Sequence, residues 1–382
     1  MWIEIRRAGF TNKGAELMLR ATLEQMSSEF PDARFVMQPG HDSSSSPYLA
    51  RARLGFYQKA SLWRYRVQWG DFARFAPSKL REMFGLVLDH QVDVILDAGG
   101  FVYSDQWGTG PVQELRRSTT RWRRRGAKVI LLPQAFGPFT TPSMRSEFSR
   151  AFENTDLVFA RDQESYRNIV ELVGEQKKLR LAPDFTNLLE GELPGWFNAQ
   201  AHQFCIVPNA RMIDKQPGVR SSDYLAFLER VVAAFLNRGV KPFVLIHEGE
   251  EDHKLGEALS ARVGGLEVRV ERNPLLLKGV LGNCLGTVGS RYHGLISSLS
   301  SGVPSLGIGW SHKYAELFSE YEFPEGMLKL GDEKSMIAEK LDILLDTRSR
   351  QEASDRLMQK SEQIKTQARA MWGEVIKVAR GA

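Results

Sequence analysis

Cysteine is scarce in this sequence, with Cys205 and Cys284 as the two examples among 382 residues. Two thiols exclude a disulfide-rich scaffold and a Cys-rich zinc module, and their apolar surroundings predict buried, unreactive side chains. No apolar run approaches the ~20 residues that a membrane span needs. The chain opens with Met-Trp-Ile-Glu-Ile-Arg-Arg, whose charges lie where a signal peptide is apolar, so we expect a cytoplasmic protein.

Several motifs for common chemistries are missing as well. The sequence has no GxGxxG, no P-loop, no GxSxG nucleophile elbow and no HExxH or HxxxH pair. We therefore expect neither a fixed metal ion nor a bound cofactor. The 51 Lys and Arg residues against 46 Asp and Glu give a net charge of +5. This small excess suits anionic substrates or an anionic membrane surface and does not call for a nucleic-acid partner.

Short apolar runs alternate with longer amphipathic stretches along the chain. The predicted strands form two series: Ile3–Ile5, Arg34–Met37, Val92–Leu96, Lys128–Leu132, Leu157–Ala160 and Leu179–Leu181, then Phe204–Val207, Pro242–His247, Glu267–Val270, Gly286–Gly289 and Pro304–Gly307. Helical periodicity lies between them, for example over Gly14–Ser28, Gln113–Arg125, Asp162–Val173 and Ser222–Asn237. Strands spaced by helices predict an α/β protein with doubly wound parallel sheets.

The two series predict two Rossmann-like domains that face each other across a deep cleft. We place the N-terminal domain at residues 1–190, a linker at 191–202, the C-terminal domain at 203–350 and a C-terminal helix at 351–382. Residues 56–84 interleave aromatic and basic side chains, which is typical of an amphipathic helical hairpin or of a surface that contacts a membrane or a carbohydrate. The Arg-rich run at 116–125 predicts the solvated face of a helix, with a docking surface for a lipid-linked or phosphorylated substrate as the alternative.

The most informative stretch is residues 289–304, Gly-Ser-Arg-Tyr-His-Gly-Leu-Ile-Ser-Ser-Leu-Ser-Ser-Gly-Val-Pro. A strand ends near Gly289, Arg291 and His293 follow at the turn, and a helix of small residues comes next. The N–H groups at a helix N-terminus favour an anion, and Arg291 suits bidentate binding of phosphate or carboxylate. His293 suits proton transfer near neutral pH. A structural arginine and a capping histidine are the alternative.

Three consecutive predicted strands in the N-terminal half end in polar or flexible residues. These are Gly99 and Gly100, Gln134, and Arg161. Carboxyl ends of parallel strands share one edge of a sheet, so these residues are candidates for substrate binding. Arg161 pairing with Asp162, or capping a helix, is the alternative.

Two further positions belong to the same prediction. Asn12 and Gly14 form a strand-to-helix turn whose N–H groups face that edge, and Lys313 follows the strand after the Arg291 helix as a second cation. His247 ends a strand and could face the predicted cleft.

Taken in order, these motifs resemble the polysaccharide pyruvyl transferase family over about residues 3–320. The resemblance is carried by Asn12-Lys-Gly-Ala-Glu, Asp97-Ala-Gly-Gly, Pro133-Gln-Ala-Phe-Gly-Pro-Phe, Ala160-Arg-Asp-Gln-Glu-Ser, Pro183-Asp184 and Ser290-Arg-Tyr-His-Gly with Gly302-Val-Pro. The chain departs from the family in having Ala98 where members often have a third glycine, and residues 56–84 match no family segment.

The resemblance implies a GT-B-like fold and a transferase that moves the pyruvyl group of phosphoenolpyruvate onto a sugar as a cyclic ketal. It implies catalytic roles for His293 and Arg291. The implied substrate-binding residues are Arg161, Lys313, Asn12, Gly14, Gly99, Gly100, Gln134, Tyr292 and Gly294. Phosphoenolpyruvate would be the donor substrate, with a sugar of a lipid-linked precursor as acceptor and peripheral contact with the inner membrane. The acceptor sugar, the ketal stereochemistry, the general acid and the oligomeric state stay open.

Two other functions fit the same residues. A GT-B glycosyltransferase would bind the diphosphate of a nucleotide sugar at the same helix N-terminus, although many retaining members carry a glutamate where this chain has Arg291 and His293. A catalytically inactive member that binds glycan or a membrane surface would use residues 56–84. Release of inorganic phosphate or of a nucleoside diphosphate separates the first two functions.

Overall fold

The computed structural model describes residues 1–39, 48–61, 63–64, 67–216 and 218–382. The polar loop that begins at His41, and Tyr65 and Arg66 of the predicted insertion, lie outside the described residues. The chain divides into two compact units. The first contains Met1–Thr11, Met18–Phe185 and Gln367–Ala382, and the second contains Asn12–Leu17 and Thr186–Thr366.

The first unit is built on an eight-stranded parallel sheet. The strands of the sheet are β1 (Trp2–Arg6), β2 (Arg34–Met37), β3 (Tyr57–Lys59), β6 (Leu86–Val87), β7 (Val94–Asp97), β8 (Lys128–Gln134), β9 (Leu157–Ala160) and β10 (Leu179–Leu181). Strands β4 (Trp63–Arg64) and β5 (Val67–Gln68) form a separate antiparallel pair. The sheet order is β10-β9-β8-β7-β1-β2-β3-β6. The helices in this part of the chain are α1 (Lys13–Glu29), α2 (Tyr48–Arg53), α3 (Ser78–Met83), α4 (Gly110–Arg124), α5 (Pro142–Glu153) and α6 (Gln163–Val173). Short 3-10 helices cover Trp69–Phe75, Asp89–Gln91, Asp105–Trp107 and Phe185–Leu188.

The second unit is built on a five-stranded parallel sheet. Its strands are β11 (Phe204–Val207), β12 (Phe243–Ile246), β13 (Val268–Val270), β14 (Gly286–Gly289) and β15 (Ser305–Gly307), in the order β13-β12-β11-β14-β15. The helices are α7 (Arg211–Asp214), α8 (Ser221–Leu236), α9 (Gly249–Arg262), α10 (Pro274–Asn283), α11 (Tyr292–Leu299), α12 (His312–Glu320), α13 (Lys334–Leu345) and α14 (Thr347–Ala379), with a 3-10 turn at Pro324–Gly326. This strand order is that of a Rossmann-like unit.

Local chemistry explains where these elements begin and end. Strands β7 and β11 are buried along their whole length, which is why they appear as continuous apolar runs in the sequence. Helix α6 starts where the Asp162 carboxylate accepts the Ser165 N–H at 2.7 Å, and it ends at Gly174 with a φ of 70°. Helix α10 starts in the same way, with the Asn273 side chain accepting the Leu275 N–H at 3.0 Å.

The strand order reverses once in each sheet, between β1 and β7 and between β11 and β14. Ligands of such sheets bind outside the carboxyl ends of the strands at this reversal. In the second unit, the loop that follows β14 lies at this reversal, and it contains Ser290 and Arg291.

The segment at 56–84 differs from the helical hairpin that its pattern predicted. It contains β3, which pairs in register with β2 and β6, then the β4–β5 pair, the 3-10 turn at Trp69–Phe75 and the short helix α3. A three-residue strand next to a two-residue strand leaves no measurable period, so the sequence pattern was dominated by the aromatic residues around it.

The compact units also depart from the predicted domain boundaries. The predicted linker belongs to the second unit, because Gly191 and Glu192 lie against α10. A Cβ built on Gly279 would come within 1.9 Å of the Glu192 carbonyl oxygen, and the Glu192 N–H donates to the Leu275 carbonyl at 3.0 Å. The C-terminal helix is not a separate element either, since Gln367–Ala382 belong to the first unit. Its Trp372 ring packs edge-on against Phe185 at 5.4 Å.

Two smaller predictions have clear outcomes. Cys205 and Cys284 are buried, as predicted, and burial raises the pKa of the Cys205 thiol well above its ordinary value. The Arg-rich run lies on α4, and several of its guanidinium groups pair with acidic residues of the first unit. The pairs are Arg116–Glu147, Arg121–Asp89, Arg123–Asp156 and Arg125–Asp89.

Candidate active site

The loop between β14 and α11 is held from three sides by hydrogen bonds to Ser290. The Tyr314 hydroxyl donates to the Ser290 carbonyl at 3.0 Å, and the Asn209 amide donates to the same oxygen. The Ser290 and Tyr224 hydroxyls share a further bond at 2.5 Å. Burial raises the pKa of Tyr224 to about 12, so its hydroxyl stays protonated. The backbone that presents Arg291 is therefore fixed before any ligand arrives.

Arg291 is buried, with 8% of its surface exposed, and its guanidinium faces two carboxylates of the α9 start. Its Nε and Nη2 donate to Asp252 at 2.8 and 2.6 Å, while Nη1 donates to Glu248 at 2.5 Å. Asp252 is anchored further by the Ala210 N–H at 2.9 Å. Burial raises the pKa of the Glu248 carboxyl, although Arg291 opposes that shift. The Glu248 carboxylate therefore accepts a proton more easily than an ordinary glutamate does.

His293 lies in the first turn of α11, and its ring packs against the start of α1. A Cβ built on Gly14 would lie 2.0 Å from the His293 Nδ1 and 2.6 Å from its Cγ. Gly14 does not have a positive φ, so the requirement for glycine is one of space alone. The structure therefore brings together Gly14 and His293, two residues that sequence reasoning had placed in separate motifs.

His247 adds a second imidazole beside this turn. It follows β12, is 3% exposed, and neither of its ring nitrogens has a hydrogen-bond partner among the residues that the structure describes. A Cβ built on Gly294 would lie 3.5 Å from its Cδ2. Burial lowers the pKa of His247 well below 6.5, and the charges of Arg291, His293 and Lys13 lower it further. The imidazole is therefore neutral at physiological pH.

Lys313 lies close to the same turn, with its ammonium among three aromatic rings. Its Nζ is 4.7 Å from the centre of the Trp310 ring, 5.1 Å from that of Tyr292 and 5.4 Å from that of Tyr314. Such cation–π contacts hold a lysine in place without neutralising its charge. Tyr292 thereby links Lys313 to the Arg291–His293 turn.

The start of α1 supplies the remaining predicted residue of the second unit. The Asn12 side chain accepts the Ala15 N–H at 3.0 Å, so Asn12 caps the helix. The next residue, Lys13, pairs with Glu16 at 2.7 Å and is close enough to affect the pKa of His247 and of Glu248.

In the first unit, Arg161 follows β9 and is buried. Its Nη1 donates to the Asp184 carboxylate at 3.0 Å, and both side chains are almost fully shielded from solvent. Asp162, the alternative partner considered from the sequence, caps α6 instead. The motifs Ala160-Arg-Asp and Pro183-Asp184 are therefore joined by one buried ion pair, and the sequence did not predict this pairing.

Gly99, Gly100 and Gln134 lie at the carboxyl ends of β7 and β8. A Cβ on Gly99 would meet the Gln134 Oε1 at 2.8 Å and the Asp97 Oδ1 at 3.1 Å, so glycine is needed for space. Gly100 has a φ of 63°, a conformation that favours glycine. The Asp97 carboxylate is fixed through its other oxygen, which accepts the Tyr103 hydroxyl at 2.7 Å.

The predicted residues therefore form two groups, one in each unit. Arg161, Gly99, Gly100 and Gln134 belong to the first unit, and Arg291, Tyr292, His293, Gly294, Lys313, Asn12 and Gly14 belong to the second. Sequence reasoning missed Lys13, Glu248 and Asp252, and it noted His247 without including it in the site. Lys13 was detectable because it separates two predicted residues, whereas the two carboxylates carry no motif of their own.

Comparison with known proteins shows which family the chain belongs to. A profile of the family described as polysaccharide pyruvyl transferase matches residues 12–312, more than three quarters of the chain. The chain belongs to this family. The curated relative AmsJ of Erwinia amylovora, an amylovoran biosynthesis protein, is 23% identical over 292 residues. That match covers 71% of this chain and 66% of AmsJ, so the chain spans slightly less than two thirds of this relative.

Solved structures support the fold of this pyruvyl transferase family member. HepE of Anabaena, solved with UDP-glucose, is 10% identical with a TM-score of 0.59 over 100% of this chain and 99% of HepE. The UDP-GlcNAc 2-epimerase of Neisseria meningitidis, solved with UDP-GlcNAc, is 9% identical with a TM-score of 0.59 over 98% and 99% of the two chains. At these identities the likeness shows the fold alone, and it confirms the predicted GT-B-like α/β class.

Proposed function

We propose that this protein transfers the pyruvyl group of phosphoenolpyruvate to a sugar of a cell-surface polysaccharide or of its lipid-linked precursor. The product is a cyclic pyruvate ketal, and phosphate is released. The observation that carries the proposal is the Arg291–His293 turn at the start of α11, in a chain of this family. A compact donor with a carboxylate and a phosphate suits a turn that combines cations with helix N–H groups.

The chemistry needs one proton donor and a group that stabilises departing phosphate. A proton adds to the methylene carbon of the donor, and a sugar hydroxyl attacks the central carbon. The carbon–oxygen bond to phosphate then breaks, and a second hydroxyl closes the ketal. One hydroxyl proton thus balances the new methyl group, and the other leaves with phosphate.

We assign the proton transfer to His293 and the binding of anionic donor oxygens to Arg291, Lys313 and Lys13. His247 stays neutral, so it acts as a hydrogen-bond donor and not as an acid. Arg161, Gly99, Gly100 and Gln134 keep their predicted substrate-binding role on the strength of their position after β7, β8 and β9. No metal or cofactor enters these steps.

Arg291 binds the donor through Nη1 in this proposal. Its Nε and Nη2 stay with Asp252, which is wholly buried and held by a backbone N–H. Nη1 faces Glu248, whose raised pKa makes its charge easy to lose when an anion approaches. The donor then replaces Glu248 at Nη1, while Asp252 keeps the guanidinium in position.

Calorimetric titration with phosphoenolpyruvate tests this assignment. Glu248→Gln should tighten binding severalfold because it removes a competing charge. Asp252→Asn should weaken binding at least tenfold because it removes the anchor. Glu229→Gln, at an exposed pair with Arg262, is the matched control and should bind as the wild type does. Arg291→Ala with unchanged affinity in a folded protein would contradict the proposal.

A nucleotide-sugar glycosyltransferase is the second candidate, because the N-terminus of α11 would suit the diphosphate of such a donor equally well. Release of a nucleoside diphosphate from a nucleotide-sugar panel would support that function. Phosphate release from phosphoenolpyruvate, which needs no nucleotide, would support pyruvyl transfer. Glycan binding without turnover of either donor would indicate an inactive member.

A lipid-linked acceptor determines where in the cell the protein acts in this proposal. The protein would act in the cytoplasm, in peripheral contact with the inner face of the plasma membrane. Among the residues that the structure describes, no helix has both the length and the apolar character needed to cross a bilayer. In this proposal a surface contact brings the chain to its lipid-linked acceptor.

A further inference from the structure

Large apolar side chains are concentrated on the surface of one short segment. Six of them are between 45% and 76% exposed within sixteen consecutive residues, and together they form what we call the aromatic patch: Trp69, Phe72, Phe75, Leu80, Met83 and Phe84. Scattered exposed apolar residues are ordinary, but a group of this density marks a site of interaction.

The aromatic patch is built on a fixed base and not on a loose loop. The Trp69 and Phe72 rings lie 5.6 Å apart, and Phe72 and Phe75 lie 6.2 Å apart, so the three form a row. Arg81 of α3 donates to the Arg74 carbonyl at 3.2 Å, which ties the helix to the 3-10 turn.

Gly70 fixes this turn to the sheet, because a Cβ there would lie 2.2 Å from the Ala60 carbonyl oxygen. The patch therefore keeps its apolar side chains at the surface without help from a ligand.

Charge around the aromatic patch has one dominant sign. Residues 48–84 contain eight Lys or Arg and two Asp or Glu, which gives a net charge of +6. The whole chain has a net charge of +5. Arg51 and Lys59 of this segment are buried, whereas Arg53, Arg74 and Lys79 are exposed. Within the patch itself, the Arg74 guanidinium lies over the Phe75 ring at 4.8 Å, and Lys79 is exposed.

These features together match an anionic lipid surface better than a sugar or a protein groove. Sugars stack on aromatic faces and hydrogen-bond to polar groups, whereas Leu80 and Met83 offer aliphatic surface. Apolar side chains that enter the headgroup region, surrounded by basic residues, are the pattern of a peripheral membrane contact.

We propose that the aromatic patch inserts into the headgroup region of an anionic phospholipid bilayer and docks the first unit on the membrane, a contact that rests on the proposed lipid-linked acceptor for its purpose. The apolar side chains supply hydrophobic burial, and the exposed Arg53, Arg74 and Lys79 supply attraction to the lipid phosphates. The basic residues therefore make the protein prefer anionic lipids, and the apolar side chains hold it at the bilayer.

Sedimentation with vesicles tests the contact in the full-length chain. The probes are vesicles of phosphatidylcholine alone and of equal parts phosphatidylcholine and phosphatidylglycerol. The wild type should bind the mixed vesicles at least tenfold more tightly. Phe75→Ser with Met83→Ser should lose at least tenfold in that binding, and Lys79→Ser about fivefold. Leu193→Ser with Met336→Ser, at positions of the second unit that are 51% and 48% exposed, should bind as the wild type does.

Three results would overturn the proposal. The first is no binding of the wild type to mixed vesicles, and the second is unchanged binding by the Phe75/Met83 variant. The third is a wild-type dimer, seen by size exclusion, that this variant dissociates, because a second copy would then cover the patch. The vesicle assay contains no phosphoenolpyruvate, so absent phosphate release would refute pyruvyl transfer without affecting this result. Phosphate release with a soluble acceptor should be the same for both double variants.

Discussion

Gly14→Ala tests the contact between the start of α1 and His293. The imidazole of His293 occupies the space that a Cβ at position 14 requires, with Nδ1 only 2.0 Å from the built atom. Carbon and nitrogen atoms in contact lie about 3.5 Å apart, so the ring must move by more than about 1 Å or rotate away. The backbone at Gly14 has no positive φ, and alanine suits a helix start, so the fold itself should tolerate the change.

The size of the effect follows from that displacement. A misplacement of about 1 Å at a reacting group costs on the order of 10²-fold in rate. If His293 moves the proton, Gly14→Ala should lower kcat for phosphate release about 100-fold, which corresponds to ~2.7 kcal/mol of barrier. The midpoint of urea unfolding should change little.

Gly110→Ala is the matched control for this experiment. Gly110 is the first residue of α4, has no positive φ, and has no atom within 4 Å of a built Cβ. This variant makes the same chemical change at a helix start and leaves the His293 ring where it is. Its kcat should equal that of the wild type.

A double-mutant cycle identifies the residue through which Gly14 acts. In a His293→Ala background, Gly14→Ala should have almost no further effect, because the ring that it displaces is absent. A 100-fold loss that persists in that background would refute the reasoning. So would a Gly14→Ala enzyme with wild-type kcat.

Three other predictions concern stability. The pKa of His247 is lowered in the fold, so the fold favours the neutral ring and loses stability as pH falls below 6.5. His247→Gln should flatten that decline between pH 6.5 and about 5, as measured by urea unfolding. An unchanged slope of the unfolding free energy against pH would contradict the burial argument. Burial alone would raise the pKa of Glu114, but Arg6 and Arg7 outweigh it and lower that pKa from 4.5 to about 2. The ionised carboxylate therefore stabilises the fold above pH 4.5, this contribution is lost toward pH 2, and Glu114→Gln should show less of that acid dependence. Gly373 lies at an exposed position inside α14, with no atom within 4 Å of a built Cβ. Gly373→Ala should therefore raise the free energy of unfolding by up to about 1 kcal/mol. A free energy of unfolding below that of the wild type would contradict this prediction.

Fully buried strands were predictable because their residues satisfy one local rule. Strands β9, β11 and β14 have the predicted bounds, and each is a continuous apolar or small-residue run between polar segments. Strands β3 and β6 were missed because neither contains an apolar run that stands out from its surroundings: β3 is Tyr-Gln-Lys and β6 has two residues. Pairing with neighbours in the sheet stabilises them, and no local sequence pattern records such pairing.

The site residues also differ in whether the sequence could predict them. Arg291 and His293 were found from the sequence because a strand, a turn and a small-residue helix are consecutive in the chain, and the family profile begins at the predicted Asn12 motif. Glu248 and His247 were not placed in the site, since they follow a different strand and reach the turn only through the parallel order of β12, β11 and β14.

The sequence by itself determined the alternation of strands and helices, the family and the two residues of the Arg-x-His turn, because all of these are patterns of neighbouring residues. Only the tertiary structure decided what those residues face. It placed two carboxylates on Arg291, a neutral imidazole beside His293 and the ring of His293 over Gly14. These contacts join residues that are tens to hundreds of positions apart, and burial, which local sequence does not encode, sets their charge states.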